Sequence, residues 1–301
     1  MPTPSDEPTP TTATALPEPL AHQVLTALAQ HRMATTSQLH QMLRPEAGRR
    51  RISAPLSTLR RTGLVDYTVL PRSNGIRAWY LTGEGARLTR DLPALRGRPP
   101  YPITSASAAS LKTPHTLTVV QTHLAFAADA RRHGHEHGPL DWTPEVTHPI
   151  GDSQRLIADA VMHYTTGHNQ HRHKYRAFIE VDRATMSSER LALKLIDYAR
   201  LFHHHTPTAG RRRQAAATPG WQRWYPVFPR VLFVLTGASR TTLDHRISDL
   251  QAMTAQHPHA ADLARHTPLA AAVLEDLQHQ GPTADVWTPL TGGQRRPWTE
   301  L

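Results

Sequence analysis

A hairpin signal strongly limits how the N-terminal part of this chain can fold. Asn74-Gly75 lies between two β-prone runs, Tyr67–Leu70 and Arg77–Leu81. Asn and Gly tolerate the positive φ angles of a tight turn, so this spacing predicts a β-hairpin. Before the hairpin, three short stretches are helical in pattern: residues 20–28 and 39–43 by their apolar spacing, and the segment between Ser53 and Gly63 by its start and stop residues. We therefore expect three helices followed by a hairpin.

Capping and breaking residues mark the ends of the predicted helices. Thr35 or Thr36 is suited to cap the second helix, and Ser53 to cap the third, with Pro55 in its first turn. Gly63 is well placed to end the third helix. Three short helices followed by a hairpin are typical of a winged helix-turn-helix, and the glycine exit resembles that of bacterial winged-helix regulators.

A winged helix-turn-helix places its third helix in the major groove of DNA and its hairpin against the backbone or minor groove. Ser57 and Thr58 are then candidates to reach base edges. Arginines of the third helix and the hairpin would contact phosphates: Arg49, Arg50, Arg51, Arg60, Arg61, Arg72 and Arg77. The alternative is that these arginines form a solvated helix face in an arginine-rich chain. The hairpin and the net charge favour binding to double-stranded DNA.

Composition points to a polyanionic partner. The 301-residue chain has a formal charge of +10, which favours nucleic acid first and an acidic membrane surface second. It contains no apolar run of about 18 residues, and it starts without the basic and apolar segments of a signal peptide. The absence of cysteine excludes disulfides and thiolate metal sites. We expect a cytoplasmic protein with no membrane contact.

Changes in composition divide the chain. Residues 1–16 are rich in Pro and Thr and are expected to be a disordered tail. Residues 17–92 form the predicted winged helix-turn-helix domain, and residues 93–112 read as a linker. A second domain is expected at 113–290, with a tail at 291–301.

The second domain has helical and extended patterns in alternation. The predicted helices lie at 115–131, 187–205, 240–256 and 268–279, and the extended segments at 141–146, 156–162, 176–182, 229–236 and 284–287. This order predicts an α/β sandwich, which makes the whole chain α+β.

Two adjacent predicted strands carry acids. Alternate residues of a strand share one face, so Glu180 and Asp182 are expected to point the same way. Asp159 joins them if its strand pairs antiparallel with theirs. Three converging carboxylates repel each other unless a divalent cation lies between them, and oxygen ligands favour Mg²⁺ or Mn²⁺. Lys194, one of only three lysines, lies on the next helix, where it would neutralise a scissile phosphate or orient the nucleophile.

The predicted catalytic residues are therefore Asp159, Glu180, Asp182 and Lys194, and the three acids are the predicted metal ligands. Together they are the parts of a metal-dependent nuclease. The alternative is a solvated strand end with local ion pairs, in which Lys194 pairs with Asp182 or with Asp197.

These segments resemble a known family. The run Asp159-Ala160-Val161, the strand Phe178–Thr185, and Lys194 with Tyr198 are similar to the replication-relaxation family of plasmid and mobile-element proteins. The resemblance extends over most of the chain, from the first predicted helix to the strand at 229–236. It also places His115 where the family tends to have a histidine. It implies an N-terminal winged helix joined to a domain similar to the PD-(D/E)xK nuclease, or restriction-endonuclease-like, fold.

The resemblance assigns roles but also shows departures. In the PD-(D/E)xK motif Asp159 would be the first acid, with Ala158 in place of the usual proline, and Glu180 the second. Asp182 stands where the motif has its lysine. Some nucleases of this fold carry the lysine on the neighbouring helix, and Lys194 would be that residue. An inactive fold retained for DNA binding is the alternative.

Other site classes find less support. Two histidine runs, at 133–137 and 203–205, lack a second ligand group at a standard zinc spacing. No phosphate-binding Gly-Lys-Ser/Thr loop is present, and no His-apolar-His triad of a classical relaxase. The aromatic cluster 221–225 is interpreted as packing rather than as a base-stacking site.

The predicted function is a DNA-binding protein of plasmid or mobile-element replication or transfer (conjugation), with a nuclease-like domain that nicks DNA with Mg²⁺ or Mn²⁺. The alternative is a non-catalytic regulator or accessory factor. Its second domain would mediate assembly as a homodimer or with another replication or transfer protein. A protein-binding scaffold whose charge is incidental is the third interpretation.

Overall fold

The computed structural model describes residues 19–71, 73–95, 103, 106–151, 154–167, 171–185, 187–205 and 218–301. The helices are α1 Leu20–His31, α2 Thr36–Leu43, α3 Arg50–Arg61, α4 Gly83–Thr89, α5 Ala106–His133, α6 Ser188–His203, α7 Arg240–Gln256, α8 Pro258–His266 and α9 Leu274–Gln280. The strands are β1 Met33–Thr35, β2 Val65–Val69, β3 Arg77–Leu81, β4 Trp142–Ile150, β5 Gln154–Thr166, β6 His173–Asp182, β7 Arg230–Leu235, β8 Leu269–Val273 and β9 Thr288–Pro289. The expected α+β class is confirmed. The predicted tail at 1–16 lies outside the described residues.

The three N-terminal helices form where the spacing predicted them. Thr35 caps α2 by accepting a hydrogen bond from the backbone N–H of Gln38, whose side chain accepts one in return from the N–H of Thr35. The predicted cap at Ser53 is wrong. Helix α3 already begins at Arg50 and has no side-chain cap, so Ser53 and Pro55 lie inside it. Ile52 and Leu56 on its inner face hold the helix in the core.

The predicted hairpin is confirmed. Strands β2 and β3 pair antiparallel, and β1 adds on the other side to give the order β1-β3-β2. Asn74 and Gly75 turn the chain with φ of 51° and 81°. Arg72, one of the predicted phosphate contacts, lies outside the described residues.

The second part of the chain is a three-layer α/β sandwich. Its sheet has the order β4-β5-β6-β7-β8-β9, with the β6-β7 and β7-β8 pairs parallel and the other pairs antiparallel. Helices α6, α7 and α8 cover one face, and α5 and α9 cover the other. Parallel strands are buried on both faces, so β7 and β8 are nearly continuous apolar runs.

One predicted helix is partly wrong. The segment predicted as a helix at 268–279 is strand β8 up to Val273 and helix α9 only from Leu274. Alanine favours helix locally, but Leu269–Val273 is fully buried beside β7, and its small side chains fit between the two helical layers. The strand predicted at 284–287 is displaced to Thr288–Pro289.

Helix α5 joins the two parts of the molecule. It starts at Ala106, inside the predicted linker, and is longer than the predicted 115–131 helix. Val120 and Leu124 pack into the core of the N-terminal helices, whereas Phe126 packs under the large sheet. The predicted tail at 291–301 is also packed, because Trp298 is fully buried against Phe126. None of the described helices is long and apolar enough to cross a bilayer.

Candidate functional site

The candidate site lies where strands β5 and β6 separate. Their antiparallel ladder ends at the pair Ala160 and Ile179. One step further, Asp159 and Glu180 occupy opposite positions, and the Asp159 carboxylate, rather than a backbone carbonyl, accepts a hydrogen bond from the Val181 N–H at 2.8 Å. The predicted antiparallel pairing therefore brings two of the three acids together.

Lys194 fills the gap between the separating strands. Its Nζ donates to the Ile157 carbonyl of β5 and lies 3.0 Å from Oε2 of Glu180 on β6. Tyr198, one helical turn further along α6, donates its hydroxyl to Oε1 of the same carboxylate. The alternative interpretation, in which Lys194 pairs with Asp182 or Asp197, is thus wrong about the partner, because Lys194 pairs with Glu180.

The environment of this cluster shifts the pKa values of Glu180 and His115. Burial, together with the nearby charge of Asp159, raises the pKa of Glu180 to about 8, although Lys194 and Tyr198 oppose the shift. The hydrogen bond from His115 Nε2 to Asp159 Oδ1, at 3.1 Å, raises the pKa of His115. Asp159 is thus bonded to the imidazole of His115 and Glu180 to the ammonium of Lys194, and only Asp159 is partly exposed, at 19% against 4% for Glu180.

Asp182 is not part of this cluster. Its carboxylate is buried and bonds to Nε of Arg246 on α7 at 2.7 Å. It also accepts a hydrogen bond from the Ala184 N–H. Asp182 shares a strand face with Glu180, as predicted, but α7 provides it with its own cation. The prediction that Asp182 is a third metal ligand does not fit this pairing.

Two carboxylates still fit a divalent cation. The described residues contain no group of three His, Cys, Asp or Glu side chains placed to hold a metal ion. Asp159 and Glu180 nevertheless offer hard oxygen donors, and a cation between them would offset the repulsion by which Asp159, together with burial, raises the pKa of Glu180. Mg²⁺ commonly binds through one or two carboxylates and keeps several waters, so this pair suits it.

The N-terminal module presents a basic face. Ile52, Leu56 and Leu59 of α3 point into the core. The opposite side is exposed and carries all the described residues that were predicted to bind DNA: Arg49, Arg50, Arg51, Ser57, Thr58, Arg60 and Arg61, with Arg77 on β3. These residues share one surface because α3 packs beside the hairpin.

A groove of about 480 Å³ separates α3 from the hairpin and is lined by Ser57, Arg61 and Trp79, among others. Arg60 and Arg77 both stack on the ring of Tyr67, with their guanidinium carbons 4.6 and 4.4 Å from the ring centroid. Arg60 also pairs with Asp66 at 3.2 Å, so it is partly neutralised. Arg61 and Arg77 are the better candidates for phosphate contacts.

Two residues near the site had no signal in the sequence. Arg32 ends α1 and forms an ion pair with Glu145 of β4, and both have positive φ, 68° and 50°. Glu145 lies opposite Asp159, where the β4-β5 register is interrupted. Arg32, Glu145, His115 and Asp159 line one small cleft of about 20 Å³. The N-terminal module therefore reaches the edge of the acidic pair.

Comparison with known proteins agrees with the resemblance noted above. The family model described as Replication-relaxation matches residues 25–213. This match spans the N-terminal helices and hairpin, the acidic strands and helix α6. No curated protein and no solved structure matches the chain.

Proposed function

The chain belongs to the replication-relaxation family, and from that premise we propose that it binds DNA and nicks it with a divalent cation. Membership of the family indicates a role in plasmid or mobile-element replication or relaxation. The observation that carries the proposal is the placement of Asp159, Glu180 and Lys194 at the point where β5 and β6 separate. Two acids and a lysine at such a strand end are the parts of a metal-dependent nuclease.

In this proposal the N-terminal module is a winged helix-turn-helix that holds duplex DNA. Helix α3 presents Ser57 and Thr58 between exposed arginines, which suits an element that lies in the major groove. Arg77 on the hairpin would contact the flanking phosphates. The large sheet and its two helical layers would form the restriction-endonuclease-like domain.

Each residue of the site has a role that follows from its contacts. Asp159 and Glu180 would hold Mg²⁺ or Mn²⁺, which lowers the pKa of a bound water and compensates charge at phosphorus. Lys194 would leave Glu180 for the scissile phosphate, and Tyr198 would keep the Glu180 carboxylate in place. In the reaction, water attacks phosphorus and one P–O bond to a deoxyribose breaks, leaving a phosphate on one end and a hydroxyl on the other.

The test is a nicking assay on supercoiled plasmid with Mg²⁺ or Mn²⁺. We expect conversion to open circles by the wild type, and its loss in Glu180→Gln and Lys194→Ala. Matched controls are Glu136→Gln, an exposed acid, and Arg200→Ala, an exposed cation of α6. Both controls should keep the activity, and circular dichroism should show that all variants are folded.

A non-catalytic accessory factor is the second candidate. The observation that favours it is that both carboxylates already have partners within the protein. Lys194 and Tyr198 donate hydrogen bonds to Glu180, and Arg246 donates one to Asp182. A folded wild type that binds DNA and leaves the plasmid intact with either cation would establish this role instead.

DNA binding is tested separately by fluorescence anisotropy of a labelled duplex over a range of salt concentrations. Arg61→Ala combined with Arg77→Ala should weaken binding and lower the salt slope by about 0.9 per lost phosphate contact. Arg87→Ala on α4, an arginine already paired with Glu84, is the control and should change neither quantity. A salt-independent affinity of the wild type would contradict DNA binding.

A further inference from the structure

A second basic surface lies on the same sheet, away from the acidic pair. It is a groove of about 620 Å³ between the distal half of the β5-β6 hairpin and the loop 226–229. Its floor carries Lys174 and Arg176, with His163 beside them. Its wall is formed by Pro226, Val227 and Pro229, of which Val227 is 73% exposed.

The register of the hairpin puts the basic groups on one face. His163 pairs across the strands with Arg176, and Thr165 with Lys174. Lys174 and Arg176 are two residues apart, so their side chains stand on the same side about 7 Å apart. That spacing is comparable with the distance between successive phosphates along one nucleic-acid strand.

The charge of the groove is uncompensated. No acidic side chain is among its lining residues, and neither Lys174 nor Arg176 has an ion pair within the described part of the chain. Two acids lie close to the rim and are already paired: Asp262, 3.9 Å from His266, bonds to His203 and Arg265, and Glu136, which bridges to Thr165, pairs with Arg172. Several exposed arginines elsewhere in the described part of the second domain have acidic partners, as Arg200 and Arg295 do.

The opposite wall of the groove, the loop 226–229, is apolar and suits the sugar and base of a nucleotide. Val227 is the most exposed of the large apolar side chains of the described residues, and the two flanking prolines limit how far this loop can collapse onto the floor. A concave site with cations on one wall and apolar groups on the other fits a single strand better than a duplex.

We propose that this groove binds the backbone of single-stranded DNA, with Lys174 and Arg176 on consecutive phosphates and Val227 against sugar or base. The inference rests on the proposed function, since its ligand is the DNA that the other sites would hold. Arg176 and Glu180 are on the same face of β6, four residues or about 13 Å apart. A strand released near the acidic pair would therefore meet the groove a few nucleotides away.

The test measures binding of a labelled oligothymidylate to the full chain by fluorescence anisotropy. Lys174→Ala combined with Arg176→Ala should weaken this binding about ten-fold at low salt and reduce the salt slope by about 1.4, the value for two phosphate contacts on a single strand. Arg200→Ala combined with Arg295→Ala removes the same charge elsewhere and should leave the affinity within two-fold of the wild type. Duplex binding should stay unchanged in the groove variant.

The outcomes separate this groove from the proposed DNA binding and nicking. Single-strand binding that depends on Lys174 and Arg176 supports the groove even if the wild type binds no duplex and nicks no plasmid. The inference is overturned if the wild type binds no oligothymidylate, or if the groove variant and the charge-matched control behave alike. Binding of oligoglutamate as tight as that of the oligonucleotide would also overturn it, because the groove would then recognise charge without nucleic acid.

Discussion

The Nζ atom of Lys194 on α6 lies 3.0 Å from Oε2 of Glu180 on β6, inside the gap that opens where β6 leaves β5. The lysine also donates to the carbonyl of Ile157 on β5. One side chain therefore connects both separating strands to the helical layer above them. This connection makes the Glu180 carboxylate both a structural group and the centre of the proposed site.

The raised pKa of Glu180 predicts a particular dependence of stability on pH. Its value of about 8 exceeds the roughly 4.3 of a free glutamate, so between these values the folded protein binds more protons than the unfolded chain. The contribution of Glu180 to the free energy of unfolding is fully present below about pH 4.3 and is lost as the pH rises toward about 8. Thermal melts from about pH 5 to 8 should show the wild type losing stability relative to Glu180→Gln. His115 has a raised pKa of the same sign, but both proteins retain it. Parallel curves would contradict the raised pKa of Glu180.

Divalent cations should stabilise the folded protein through the acidic pair. A ligand that binds only the folded state, at a free concentration ten times its dissociation constant, raises the free energy of unfolding by about 1.4 kcal/mol. Mg²⁺ or Mn²⁺ should therefore raise the melting temperature of the wild type near pH 8, because a large fraction of Glu180 is ionised there and can bind a cation. Asp159→Asn and Glu180→Gln should lose this shift. Asp182→Asn should keep it, whatever its own starting stability, and loss of the shift in this variant would show that Asp182 is a ligand after all.

The buried ion pair of Asp182 and Arg246 should be important for stability. Arg246→Ala leaves the buried Asp182 carboxylate without its cation, which costs about 3–5 kcal/mol. Urea denaturation measures this loss. Arg240→Ala is the control on the same helix, since its own side chain is 44% exposed and its pair with Asp244 should contribute less than about 1 kcal/mol. Similar losses in the two variants would contradict a special role for the buried pair.

The C-terminal segment should be part of the folded domain. Trp298 is fully buried and packs edge-on against Phe126 and Tyr164. Trp298→Ala should destabilise the protein by about 3–5 kcal/mol in urea denaturation, because it opens a large cavity. Trp224→Ala provides the matched control, since that indole is 38% exposed. If Trp298→Ala unfolded at the same urea concentration as the wild type, the segment would be a dispensable tail.

Local sequence patterns were sufficient to predict an element where the residues of that element determine its conformation. The hairpin could be predicted because Asn74 and Gly75 accept positive φ, and α2 because Thr35 can cap it. The sequence placed Asp159 beside Glu180 on the condition that their strands pair antiparallel, and β5 and β6 do pair in this way. The segment around Leu269–Val273 was not, because burial beside β7 outweighs the helical preference of its alanines.

Partners distant in sequence were beyond such patterns. Arg246 lies in a helix 64 residues after Asp182, and nothing in its local sequence marks it as the partner of a buried acid. The ion pair of Arg32 with Glu145 joins two residues of positive φ that are distant in sequence and meet where α1 packs on β4. The packing of Trp298 under the sheet also depends on a long-range contact.

By itself the sequence determined the three N-terminal helices and the hairpin, the basic face of α3, and the placement of acids on two adjacent strands, since each depends on local spacing and residue type. The tertiary structure alone decided which cation each acid receives. Lys194 is on α6 and Arg246 on α7, and the packing of these helices over β6 assigns the first to Glu180 and the second to Asp182. A charge buried in a protein needs a partner within a few ångströms, and only the folded chain brings those groups together.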